Sequence, residues 1–176
     1  MVRPARMGIL TVSDRAGAGI YADQSGPAIE ATLREILNSP WEAVPHLVPD
    51  GLESVRDAIV RLVDDEGCDL VLTTSGTGPA PRGVTPEATE AACEKIMPGF
   101  GELMRRKSLE QVPTAILSRQ TAGIRGKALV INLPGKPSSI RMTLLAVFPA
   151  VPYCLDLIGA SRIETSPDLV EAFRPA

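Results

Sequence analysis

Short apolar runs alternate along this chain with stretches of helical spacing, and few architectures accept that order. Residues 7–12, 43–48, 70–72 and 128–133 are strand-length runs rich in Val, Ile and Leu. Between and after them, Ile29, Leu33, Ile36 and Leu37, then Val55, Ile59, Leu62 and Val63, then Ile140, Leu144, Val147 and Phe148, each fall on one helical face. Continuous apolar strands separated by amphipathic helices point to right-handed crossovers and a sheet covered on both faces. The expected fold is a three-layer α/β/α arrangement with a mostly parallel central sheet, in a single domain spanning residues 1–176. Residues 114–126 read as extended and leave room for a small subsidiary β lobe. From 148 to 158 the chain is apolar enough for a buried helix. Residues 161–176 form a polar, proline-punctuated tail that could lie along a neighbouring subunit.

Composition narrows the function. Hydrophobic residues make up 44% of the chain and charged ones 22%, while aromatics are only 3%, so the core rests on aliphatic side chains. Eighteen basic and 21 acidic residues leave a net charge of −3, which gives no general attraction to nucleic acid. Three scattered cysteines, Cys68, Cys93 and Cys154, with no Cys-x-x-Cys pair, suit reduced thiols. The N-terminus lacks a signal-peptide core and no run approaches membrane-spanning length, so the expected setting is the cytoplasm without membrane contact.

The chemistry concentrates where strands end. After residues 70–72 comes Thr73-Thr74-Ser75-Gly76-Thr77-Gly78, then Pro79-Ala80-Pro81-Arg82-Gly83-Val84, then Thr85-Pro86-Glu87, which reads as a helix start with Thr85 as N-cap. A strand, a glycine and hydroxyl loop and a helix N-terminus in series make an anion site. Neither a dinucleotide fingerprint nor a P-loop fits, since Pro81 stands where a third glycine belongs and no Gly-Lys-Ser/Thr occurs. A second loop, Pro134-Gly135-Lys136-Pro137-Ser138-Ser139, repeats the design and adds a cation. Ser13 and Asp14 follow the first strand and Asp50 follows the second. In parallel sheets ligands bind beyond such carboxyl ends. His46 lies inside a strand without a partner motif and is left out of the chemistry.

Taken together, Thr11-Val12-Ser13-Asp14-Arg15, Val48-Pro49-Asp50, residues 73–89, residues 97–102, 113–120 and 132–139, and Val151-Pro152-Tyr153-Cys154 resemble the molybdopterin adenylyltransferase family of molybdenum-cofactor proteins, related to the G domain of gephyrin. The resemblance covers nearly the whole chain. It implies transfer of AMP from ATP to the terminal phosphate of molybdopterin with release of pyrophosphate, a requirement for Mg2+, a homotrimer and hand-over to a molybdate-insertion protein. It implies that Asp50 is the catalytic determinant; a carboxylate at a strand end, Asp50 is also the expected Mg2+ ligand. Ser13, Asp14, Thr74, Ser75, Gly76, Thr77, Gly78, Thr85, Pro86, Glu87, Pro134, Gly135, Lys136, Ser138 and Ser139 are expected to bind the substrates.

Two departures from the family pattern stand out. Ser75 replaces a glycine, which would be strained at positive φ. Gly83 replaces an aspartate associated with activity, leaving Asp50 with a water or Glu87 to help hold Mg2+. A molybdopterin-binding or scaffolding protein with weak or no catalysis is therefore the alternative. A dehydrogenase-like nucleotide domain is a more distant one, without its glycine fingerprint.

Overall fold

A computed structural model describes residues 3–19 and 22–176. Six strands form one sheet, β1 (Ala5–Val12), β2 (Trp41–Val48), β3 (Leu70–Thr74), β4 (Lys95–Ile96), β5 (Ala122–Arg125) and β6 (Ala128–Leu133), in the order β2-β1-β3-β6-β5-β4. The four strands foreseen from the apolar runs are parallel neighbours, with Leu72 of β3 beside Ile9 of β1 on one side and Ile131 of β6 on the other. Alternation along the buried strands sends Met7, Ile9, Leu70, Leu72, Leu129 and Ile131 to one face and Leu10, Val12, Val71 and Val130 to the other.

The first face packs against α2 (Ser25–Ile36), α5 (Pro98–Leu109), α6 (Pro137–Val147) and α7 (Val151–Ile158). The second packs against α3 (Leu52–Asp64) and α4 (Thr85–Ala92). This is the expected three-layer arrangement. A single turn, α1 (Asp14–Gly17), follows β1.

Residues 114–126 do not form a lobe. They make a 3-10 turn, Pro113–Leu117, and then β5, which pairs antiparallel with β6 through the two-residue turn Gly126-Lys127 and extends the main sheet. The region from 148 to 158 is a 3-10 turn, Phe148–Ala150, leading into α7. Together with α6 it makes a 22-residue helical span, Pro137–Ile158, long and apolar enough to cross a membrane by composition, contrary to the expectation. Half of its most apolar window is buried inside the protein.

The polar tail, residues 161–176, makes contacts within the chain. It docks on its own chain, with Ile163 and Val170 buried, Asn38 N donating to Glu164 O and Arg174 paired with Asp156.

Candidate functional site

The parallel strands deliver their carboxyl ends to one edge. At that edge Ser75 N donates to Leu133 O at 3.2 Å and Thr74 Oγ1 donates to Pro134 O at 2.8 Å. These bonds stitch the loop after β3 to the loop after β6. Below them Asn132, wholly buried, donates to Thr73 Oγ1 at 3.1 Å and to Thr89 Oγ1 at 2.8 Å, fixing β3, β6 and α4 as one unit.

The two loops share a cavity of about 400 Å³. Thr77 and Gly78 line it from one side and Pro134, Lys136, Ser138 and Ser139 from another. Its third wall was not foreseen: Gln111, Val112 and Leu117, with Ser118 and Gln120, come from the end of α5 and the 3-10 turn. Lys136 is exposed at its rim. Main-chain N–H groups, hydroxyls, one cation and an apolar wall suit a ligand with an anionic end and a flat apolar body.

A second cluster lies at the other end of the glycine loop. Asp14 N donates to Asp50 Oδ2 at 3.2 Å and Asp50 N donates to Asp14 Oδ1 at 3.1 Å, a reciprocal bond between the ends of β1 and β2. Arg82 reaches over from the loop, donating from Nε to Asp14 Oδ2 at 2.7 Å and from Nη2 to the Asp50 carbonyl at 2.9 Å. The hydrogen bond from Arg82 is the main reason the Asp14 carboxyl sits below its ordinary range. That preference for the charged form persists at neutral pH and fades only as pH falls through the lowered value. The Asp14 carboxyl should therefore titrate below a free aspartate by NMR and move back up in Arg82→Ala; an unchanged midpoint would remove Arg82 from this role.

Asp50 Oδ1 accepts no hydrogen bond among the described residues and lies 3.6 Å from the position that a Cβ on Gly76 would take. Thr85 Oγ1 lies against the same position, buried and without a partner. Gly76, at φ +72°, therefore cannot carry a side chain. Thr85 is not the N-cap; helix α4 begins at Thr85 itself, after Val84, because Thr85 N is taken by Gly76 O at 3.0 Å. The hydroxyl is thereby turned toward the loop. An orphaned buried hydroxyl beside a carboxylate oxygen is a place for a water or a ligand group to complete the bonding.

The other expected site residues divide by position. Ser13 caps α1, accepting from Ala16 N at 3.1 Å. Gly135 passes over Ser75, whose Oγ is 2.7 Å from where a Cβ on Gly135 would stand, and its carbonyl accepts from Ser25 Oγ. Pro86 is buried at the first turn of α4. Glu87 gives Oε1 to Arg119, while its Oε2 is buried without a partner. Sequence reasoning passed over Arg82 and Arg119, and in both cases the contact is to chain atoms tens of residues away.

Ser75 adopts φ +76°, the conformation in which a side chain is strained. A non-glycine residue there costs about 1 kcal/mol or more. Part of that is offset by the freedom glycine gains in the unfolded chain. Ser75→Gly is expected to raise the melting temperature by about 2 °C, and a lower value would show that the Ser75 hydroxyl contributes more than the strain costs.

Residues 8–153 match the family model described as "Probable molybdopterin binding domain". The chain belongs to this family. It is 55% identical over 169 residues to a molybdopterin adenylyltransferase of Helicobacter pylori (strain ATCC 700392 / 26695), covering 96% of each chain. It is 48% identical over 182 residues to that of Escherichia coli (strain K12), covering 97% of this chain and 93% of the relative. Among solved structures, the molybdopterin biosynthesis enzyme MoaB from Thermus thermophilus superposes with a TM-score of 0.82 at 42% identity, over 91% of this chain and 99% of that one.

Proposed function

We propose that this member of the molybdopterin-binding family adenylylates molybdopterin. An oxygen of the substrate's terminal phosphate attacks the α-phosphorus of ATP, the bond to the β-phosphate breaks, and pyrophosphate leaves. One observation carries the reading: the Asp14–Asp50 pair and the 400 Å³ cavity meet at opposite ends of a single glycine loop. Two substrates can therefore face each other across backbone N–H groups. The identities of 48–55% to proteins named for this activity support it.

In this arrangement molybdopterin takes the cavity, its pterin against Val112 and Leu117 and its phosphate toward Thr77, Gly78 and Lys136. The phosphates of ATP lie toward Asp50, Thr85 and the start of α4. Because the attacking group is already anionic, no enzymic nucleophile is needed, and catalysis rests on placement and charge neutralisation. Mg2+ commonly uses one or two protein carboxylates and fills its octahedron with waters and phosphate oxygens. No cluster of three or more His, Cys, Asp or Glu suited to a metal occurs among the described residues, so a site built on Asp50 with substrate oxygens fits this chain and a protein-only cage does not. An ion held there by Asp50 would supply positive charge against the phosphates. Asp50 Oδ1 offers the ligand atom, and Asp14, held by Arg82, fixes the backbone of Asp50.

Mass spectrometry of the reaction of ATP with molybdopterin is expected to show a molybdopterin–AMP adduct. A second reading, a carrier that binds molybdopterin without turnover, is favoured by Gly83 and by the engagement of Glu87 with Arg119; binding without adduct would establish it. The reading also has the chain work in the cytoplasm as a homotrimer that passes its product to a molybdate-insertion protein. Exposed Ile116 and Phe173 provide apolar surface for association, and sedimentation showing only a monomer would exclude the trimer.

A further inference from the structure

We propose that Arg119 is a positioning residue that couples occupancy of the molybdopterin cavity to the shape of the ATP-side loop. This rests on the adenylyl-transfer reading above. Residues 75–84 have no regular structure of their own, and their internal bonds are few: Gly83 N to Ala80 O, Val84 N to Arg82 O and Thr85 N to Gly76 O. Two arginines hold the loop from outside these bonds: Arg82 ties it to Asp14 and Asp50, and Arg119 ties it to the strip beside the cavity. Arg119 Nε donates to Gly78 O at 3.0 Å, Nη2 donates to Gly83 O, and Nη1 pairs with Glu87 Oε1, while its own main-chain N donates to Thr77 O at 2.8 Å. The guanidinium fork thus ties both limbs of the loop to the first turn of α4. A lysine has a single donor head and cannot span three acceptors set in a plane.

The other end of the coupling is the cavity wall. Ser118 and Gln120, the neighbours of Arg119 in sequence, both line the cavity, as do Val112 and Leu117 just before them. That strip is itself anchored to α5, where Arg105 Nη1 donates to Gln120 O at 2.8 Å. A ligand seated against Leu117, Ser118 and Gln120 holds the backbone from which Arg119 projects. The loop is then already ordered when ATP arrives, and the second substrate meets a smaller ordering cost. Arg119 touches neither substrate in this arrangement.

The test measures binding of α,β-methylene-ATP, which cannot be cleaved at the reacting bond, with and without saturating molybdopterin, together with steady-state turnover. The wild-type protein should bind the analogue roughly tenfold more tightly when molybdopterin is present, within the usual range of coupling between sites. In Arg119→Lys that ratio should fall to about one and kcat should drop about 10²-fold, the scale expected when reacting groups are misplaced by an ångström. Guanidinium chloride added to Arg119→Ala should restore part of kcat. Arg125→Lys serves as a control, since Arg125 is equally well bonded, to Ala92 O and Asp64, but away from the site; it should keep both the ratio and kcat. A coupling ratio retained in Arg119→Lys, a ratio of one in the wild type, or a loss of coupling in Arg125→Lys as large as in Arg119→Lys would each overturn the proposal. A wild-type protein that shows the coupling but releases no pyrophosphate would instead overturn the adenylyl-transfer reading and leave the coupling standing.

Discussion

Asp50→Asn is expected to lower kcat on the order of 10²-fold while changing molybdopterin affinity little, by analogy with removal of one preorganised stabilising group. The substitution is mild for the fold. Asp50 Oδ2 accepts from Asp14 N at 3.2 Å, and an asparagine oxygen can accept the same bond, so the join between β1 and β2 survives. What changes is Oδ1, the one oxygen turned toward Gly76 and Thr85 without a protein donor among the described residues. In the proposed reaction its charge matters most when pyrophosphate departs, so the loss should appear in kcat more than in KM. Steady-state rates across a Mg2+ series check this, and an Asn variant with unchanged kcat at limiting Mg2+ would remove Asp50 from the metal.

Gly83→Asp should act in the opposite direction on rate, and only when Mg2+ is present. A Cβ at Gly83 would stand 3.2 Å from Gly78 O, 3.3 Å from Ala80 O and 3.5 Å from Gly76 O. The backbone there is not in the left-handed region, so aspartate meets crowding rather than torsional strain. Three carbonyl oxygens crowd the new Cβ, so the loop must give way to admit the side chain. Without Mg2+ the variant should therefore be less stable than the parent, by about 1–3 kcal/mol if the loop has to give way. With Mg2+ it should regain stability and show a rate about tenfold higher, the scale on which changes around a metal alter its function. Paired with Asp50→Asn the gain should largely vanish, since two groups serving one ion act as a unit. Thermal melts and kcat at matched Mg2+ concentrations decide it. Equal stability and equal rate with and without Mg2+ would show that position 83 does not face the metal.

The layers and the parallel strands were readable because each buried strand is a short apolar run and each helix shows its periodicity. The glycine loop was readable from composition alone, since Gly76 at φ +72° tolerates no other residue. Less visible were features set by distant backbone. Thr85-Pro86-Glu87 has the pattern of a helix cap, yet Gly76 O takes the Thr85 N–H and moves the helix start. Arg82 lies 68 residues from Asp14 and Arg119 lies 41 from Gly78, separations at which no local pattern reports a contact. The β5–β6 hairpin was missed for a different reason. Its only turn signal is Gly126 followed by Lys127, and β4 is two residues long, too short to leave a pattern.

In the proposed reaction the carboxylate pair and the cavity serve one transfer across the glycine loop. Pyrophosphate release from ATP, followed with and without molybdopterin and with and without Mg2+, tests it most directly. Release that requires all three components, and that falls about 10²-fold in Asp50→Asn, is the expected result. Tight molybdopterin binding with no pyrophosphate released at any Mg2+ concentration would contradict it.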